Sequence, residues 1–311
     1  MSEQLPAFCS LRSKEAAEQA FGTASTGDAW LLLEYARPWS PKAFNESALP
    51  EAVKTHLSGV LKSVPRSRVL FIKRTRRAKG PLSLFVARSR ESSSSILKFE
   101  FFEYEQLLDL DLTSALAGGW PAGASQWESP LFLVCTHGTR DKCCAKFGIP
   151  IYKTIRTLVD ESSVWECSHV GGDRFAANVV CFPDGIFYGH VTEESAKLIV
   201  EQCFERRIVL TNFRGRACYS FPVQAAEFFA RRETGFRGIS DLKFLTYDAL
   251  KPNEWRVRFF SEVDVKVHQV SLRSHLSEFQ NRLTCHSSEP RGVVQYSLIE
   301  YEIVGENNDL L

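Results

Sequence analysis

SPLFLVCTHGTRDKCCAKFGIPIYKTIRTL (129–158) and, after a five-residue gap, VWECSHVGGDRFAANVVCF (164–182) carry both the architecture and the chemistry of this chain. SPLFLVC is an apolar run of strand length ending at Cys135, and VWECSH is a second ending at His169. DKCCAKFGIPIYKTIRTL between them has helical periodicity, with an interruption expected near Gly148 and Pro150. Strand, helix, strand is an α/β pattern, and such sheets place ligands at the carboxyl ends of their strands. Cys135 and Cys144 are separated by eight residues, His169 follows after twenty-four more, and Asp173 stands four positions beyond it. Two thiols, an imidazole and a carboxylate thus fall in two short loops, where Gly171 and Gly172 permit a tight curl. Soft thiolates select zinc, copper(I) or iron–sulfur clusters, and imidazole is compatible with all three. Cys135, Cys144, His169 and Asp173 are therefore read as the ligands of a metal site.

Working outward, residues 1–125 read as a smaller α/β domain. KEAAEQAF from Lys14 suggests a short helix, AWLLLEYA (29–36) a strand, and LPEAVKTHLSGVL from Leu49 a helix. RVLFIKRT, LSLFVARS and ILKFEFFEY are three further strand candidates rich in Phe, Leu and Ile. GGWPAGAS (118–125) is the linker candidate, after which the element order restarts over residues 126–238. There ANVVCF and GIFYGHV read as a hairpin around Pro183, Asp184 and Gly185. TEESAKLIVEQCF follows as a helix capped by Thr192, and FPVQAAEFFARRET as another. Residues 239–311 change texture to four strand candidates and read as a β-rich C-terminal module.

Composition narrows the function classes. A formal net charge of +1 argues for neither a nucleic-acid partner nor a membrane surface. No run reaches the roughly eighteen apolar residues of a bilayer span, and the N-terminus lacks the apolar core of a secretion signal. The expected address is the cytoplasm. Nine cysteines in a reducing compartment bind metal or do redox chemistry more readily than they form disulfides. Cys181 and Cys203, inside apolar periodic segments, read as small buried hydrophobes.

Four donors of this kind suit a [2Fe–2S] centre, two for each iron, since side-chain nitrogen can replace sulfur on one iron. At this point the chain resembles the sucrase/ferredoxin-like proteins. The resemblance rests on CTHGTRDKCC, WECSHVGGDRFAANVV, FYGHV, RGR at Arg214 and QAAE ending at Glu227, and more faintly on WLLLEYARPWSPKAF. It implies a thioredoxin-like ferredoxin domain holding a [2Fe–2S] cluster through two cysteines and two histidines. The half preceding that domain is itself a candidate for the same fold. The family's cysteines fall on Cys135 and Cys144 and its first histidine on His169. Its second histidine falls on Asp173, so this chain departs from the pattern there. The implied function is electron transfer with an unidentified redox partner protein, an electron carrier rather than an enzyme.

The departure has an electrostatic consequence. A four-thiolate centre carries roughly −2 when oxidised, a two-thiolate, two-imidazole centre about 0, and the set found here about −1. The expected potential lies above plant-type ferredoxins and below an equivalent two-histidine site. Competing readings attach to single residues. Cys143 is the non-ligand of the double cysteine, and Cys167, two before His169, could complete a structural zinc site with Cys135, Cys144 and His169. A thiol-based redox enzyme or sensor is the other rival, although the expected Cys-x-x-Cys turn is missing. His137 is assigned a hydrogen bond within its loop, and Arg174 either a supporting role or a plain surface pair. His190, His268, His275 and His286 show no ligand-like grouping. Nothing singles out the two positioned carboxylates that sugar hydrolysis would need. The seven basic residues between Arg66 and Lys79 read as a solvated hairpin end or as a docking patch for an acidic redox partner.

Overall fold

A computed structural model describes residues 8–75 and 80–305. Most of its strands join one ten-stranded mixed sheet, and a separate four-stranded antiparallel sheet lies at the C-terminus. A short helix, α1 (Cys9–Glu15), precedes β1 (Ala29–Glu34), α2 (Glu51–Ser63), β2 (Ser67–Lys73), β3 (Leu82–Arg88) and β4 (Ser95–Phe101). β1 pairs parallel with β2 and antiparallel with β3, which pairs antiparallel with β4. All six residues of β1 are buried, because helices or a second core cover both faces of this central strand. Its alternation sends Leu31 and Leu33 to the face covered by α2 and α3 (Leu112–Ala117). Trp30 and Leu32 go to the other face.

The same unit is then built again. After the edge strand β5 (Ser125–Gln126), β6 (Leu131–Cys135) leads through α4 (Lys142–Arg156) into β7 (Val164–Cys167), its parallel partner. β8 (Val179–Phe182) and β9 (Ile186–Tyr188) add antiparallel strands on the other side of β6, forming the expected hairpin. The two units meet where β2 pairs with β7, Ile72 opposite Cys167 and Lys73 opposite Glu166. Across that seam the strand order is palindromic. One core is shared, with Trp30, Leu70 and Phe85 from the first unit packing with Leu133, Trp165 and Phe182 from the second. α5 (Glu193–Phe204) and α4 cover the far face of the second unit. Thr192 caps α5 in a capping box with Ser195.

β10 (Phe213–Arg216) closes the sheet beside β9, and α6 (Phe221–Thr234) packs between it and the C-terminal sheet. That sheet comprises β11 (Leu242–Lys251), β12 (Glu254–Ser261), β13 (Lys266–Asn281) and β14 (Arg291–Val304), in sequence order. Its inward face places Val257, Phe259, Val270 and Leu272 against Val223, Ala226 and Phe229 of α6.

Two helices differ from the sequence reading. The first lies earlier, at Cys9–Glu15, because Ala17 takes a left-handed φ of 49° and Glu18 turns inward. There the Glu18 carboxylate meets Arg174 and accepts a 2.8 Å hydrogen bond from Asn281 Nδ2. α4 runs unbroken through Gly148 and Pro150. Proline forfeits one backbone bond, but burial of Ile151, Tyr152 and Ile155 on the same helix offsets it. Gly148 lets the helix approach β6: a Cβ there would sit 2.1 Å from the Cys135 carbonyl oxygen.

Candidate metal centre

The parallel pair β6 and β7 ends in register, Cys135 beside Cys167, with the N-terminus of α4 above it. Asp141 caps that helix by accepting a 2.8 Å hydrogen bond from the Cys143 amide, which fixes the first turn and with it Cys144. Past β7 the chain turns through Gly171 and Gly172, with φ of 86° and 77°, values that favour glycine. A Cβ on Gly172 would lie 2.4 Å from Arg214 Nη2, so the close packing of that loop also requires glycine.

These turns bring the thiols of Cys135 and Cys144 and a ring nitrogen of His169 within 4.8 Å of one another. Asp173 stands beside them, its Oδ1 3.0 Å from His169 Nδ1 and 3.3 Å from Cys144 Sγ. The Nδ1 atom is buried, and its near neighbour is the Asp173 carboxylate, with which the ring forms an ion pair when protonated. Two sulfurs and an imidazole nitrogen, with a carboxylate against the ring, make a donor set that fits a thiophilic metal or an iron–sulfur cluster. All four predicted residues are thus neighbours. The compact donor group is Cys135, Cys144 and His169; Asp173 flanks it through His169 and Cys144, while Cys167, buried next to Cys135, and His137 also stand outside it.

The electrostatics agree with a site built for charge. The Cys144 thiol bonds toward Cys135 and, with help from the His169 ring, holds the Cys135 pKa well below its ordinary value despite burial. Cys144 is pushed up by the same bond and by burial. Burial would lower the His169 pKa, but Asp173 and Cys135 outweigh it and raise it to about 9. For Asp173 burial pushes up, and the His169 ring and the Cys144 thiol overcome it to give a lowered pKa. Only the imidazole reaches solvent, its side chain 24% exposed against 4% for Asp173.

Surrounding groups orient the donors. His137 donates from Nε2 to the Ser40 carbonyl at 2.9 Å and accepts the His169 amide on Nδ1 at 3.1 Å. That pair of contacts assigns its ring proton and keeps it within the loop, as the sequence suggests. Arg174 pairs with Glu18 rather than with its neighbour Asp173. Arg214, buried in full, bonds the Gly171 carbonyl at 3.0 Å, Asn178 Oδ1 at 2.8 Å and the Thr23 carbonyl at 2.6 Å. Burial first, then the charge of Arg174, lowers its pKa to about 9. In the sequence Arg214 stands out only as part of a motif; its clamp on the ligand loop involves partners 36 to 191 residues away. The other half of that motif is structural too, with Gln224 Nε2 donating to the carbonyls of Ala24, Arg216 and Tyr219.

A model of the sucrase/ferredoxin-like family matches residues 20–215, well over half of the chain and all four candidate donors. The chain belongs to this family. Among the curated relatives of this sucrase/ferredoxin-like chain are two fungal proteins named altered inheritance of mitochondria protein 32. That of Meyerozyma guilliermondii is 28% identical over 95 residues, which cover 27% of this chain and 34% of the relative. That of Candida glabrata is 31% identical over 98 residues, covering 26% and 31%. The chain therefore spans about a third of the length of the curated relatives it matches. No solved structure matches it. Among the described residues, no helix is long and apolar enough to cross a membrane.

Proposed function

We propose that this sucrase/ferredoxin-like chain is a one-electron carrier holding a [2Fe–2S] cluster through Cys135 and Cys144 on one iron and His169 and Asp173 on the other. The observation that carries the reading is the meeting of two buried thiols with a ring nitrogen of His169 at the carboxyl ends of β6 and β7, with Asp173 against that ring. When bound, such a cluster accepts and returns a single electron at a potential set by ligand charge and surroundings. Each half of the palindromic sheet is, in this reading, a thioredoxin-like unit, on the strength of its repeated strand order.

The residues divide the work. Cys135 and Cys144 are buried, which keeps water and oxidants from the sulfurs. His169 forms the solvent edge between two clefts, one lined by Lys42 and Arg140, the other by Arg68 and Trp30. These cations beside the imidazole support docking of an acidic redox partner there, where charge steers encounter. Of the basic run, Arg76, Arg77 and Lys79 lie outside the described residues, while Arg66 pairs with Asp28 at 3.0 Å. Asp173 keeps one negative charge that a second imidazole would lack. It also holds the His169 ring in place. Nine free cysteines suit a reducing compartment, and the cytoplasm remains the address we favour.

Iron and sulfide analysis of anaerobically purified protein, with EPR after dithionite reduction, tests the assignment. Two irons and two sulfides per chain are expected from the cluster stoichiometry, falling sharply in His169→Ala and less in Asp173→Ala. Asp173→His should retain the cluster and raise its potential; an unchanged or lower potential would remove the argument for carboxylate ligation. Colourless protein whose zinc disappears in Cys135→Ala would overturn the reading in favour of a structural site. Metal-free protein with fast-reacting thiols would overturn it in favour of thiol chemistry.

A further inference from the structure

Cys143 belongs to a different neighbourhood from Cys144. Consecutive helical residues point about 100° apart, so where Cys144 faces the sheet, Cys143 faces α1 and the loop joining β13 to β14. Its sulfur lies 3.5 Å from Cys9 Sγ and 3.2 Å from Cys285 Sγ, and the third side of the triangle, Cys285 to Cys9, measures 3.6 Å. The three cysteines are separated by 134, 142 and 276 residues. Asp141 completes the group, with its donor atom and the three sulfurs all within 4.8 Å of one another.

We propose that Cys9, Cys143, Cys285 and Asp141 form a second, structural metal site that binds one zinc ion and ties α1, α4 and the β13–β14 loop together. Zinc–sulfur bonds of about 2.3 Å set tetrahedral sulfur–sulfur separations of about 3.8 Å, so the sides of the triangle need to open by about 0.2 to 0.6 Å. A disulfide, with sulfurs about 2.05 Å apart, would have to draw one pair much closer and leave the third thiol unmatched. Asp141 is fully buried, and among the described residues no side-chain cation forms an ion pair with it. Its two oxygens accept the amides of Cys143 at 2.8 Å and Cys285 at 2.6 Å, which holds two of the three thiols in position before any ion arrives. Each thiol releases its proton on binding. A carboxylate oxygen beside three thiolates selects zinc over copper(I), which needs no oxygen donor. Phe8, Phe147 and Ala176 form an apolar shell around the group, and Lys142 and Lys146 lie over the Phe8 ring. This site stands whether or not the first one holds a cluster.

Elemental analysis of the full chain, expressed with zinc supplementation and desalted under reducing conditions, tests it. One zinc per chain is expected in wild type and in Cys135→Ala, and its loss in Cys9→Ser and Cys285→Ser. Because Cys285 is only half-buried on a loop, its serine variant keeps the fold, and circular dichroism checks this. Cobalt(II) loaded into the Cys135→Ala, Cys144→Ala chain should give thiolate-to-cobalt charge-transfer absorption and the intense visible bands of a tetrahedral site. Equal zinc in wild type and Cys285→Ser, copper in place of zinc, no metal, or a wild-type mass lower by two hydrogens would each overturn the proposal.

Discussion

The two halves of the ten-stranded sheet share one topology and differ in the connections at the ends of their parallel strands. In the second unit, six residues separate β6 from α4, and Cys135, Cys144 and His169 crowd the strand ends. In the first, sixteen residues separate β1 from α2; Tyr35 follows β1, Lys73 ends β2, and Trp39 lies in the connection. The short connection supplies donors, and the long one supplies support. Trp39 packs edge-on to His137 with centroids 5.6 Å apart, its carbonyl accepts from Thr139 at 2.6 Å, and the Ser40 carbonyl holds the His137 ring. A topology repeated within one chain thus presents the same strand-end position twice; the thiols and the imidazole gather at one copy, and the other packs against them as a buttress.

The contrast can be broken at its largest contact. Trp39→Ala should cost about 3–5 kcal/mol, the usual range for emptying a buried aromatic site. It should also weaken metal retention by freeing His137, although Trp39 is no ligand; denaturant melts and metal content together check this. Gly148→Ala comes next: its Cβ would strike the Cys135 carbonyl, and displacing α4 should cost about 3 kcal/mol together with much of the bound metal. A third test uses pH. His190, in the second unit, is driven to a pKa of about 3 by burial and then by Lys14, Arg214 and Arg174. Its folded-state pKa lies below the unfolded 6.5, so the stability it contributes is present above pH 6.5 and lost as pH falls toward 3. Metal-free wild type should lose about 2 kcal/mol more than His190→Gln between pH 6.5 and about pH 5, measured by urea titration. The smallest effect has the opposite sign. Gly59, inside α2 of the first unit, has nothing within 4 Å of an added Cβ, so Gly59→Ala should stabilise by about 0.5–1 kcal/mol.

Much of this is legible in the chain itself. The strands at 29–34, 67–73, 82–88 and 131–135 coincide with mostly apolar runs, and α5 begins at its capping residues. The four candidate donors stand out because each sits next to the end of such a run or in the first turn after it. Local pattern misleads where a distant partner overrides it. KEAAEQAF has good helix formers, yet Glu18 leaves the helix to meet Arg174 and Asn281. Gly148 looks like a breaker, yet it is a point of close approach to Cys135. Spacing separates Cys143 from Cys144, but nothing local links it with Cys9 and Cys285.

Periodicity, caps and glycine placement, all short-range properties, were enough to specify an α/β chain with thiols and an imidazole at strand ends. Which thiols meet, which buried cation clamps the ligand loop, and how two similar units share one sheet were settled only by tertiary packing. The reason is physical. Those contacts join segments tens to hundreds of residues apart, and their free energy comes from surfaces that exist only once both partners have folded.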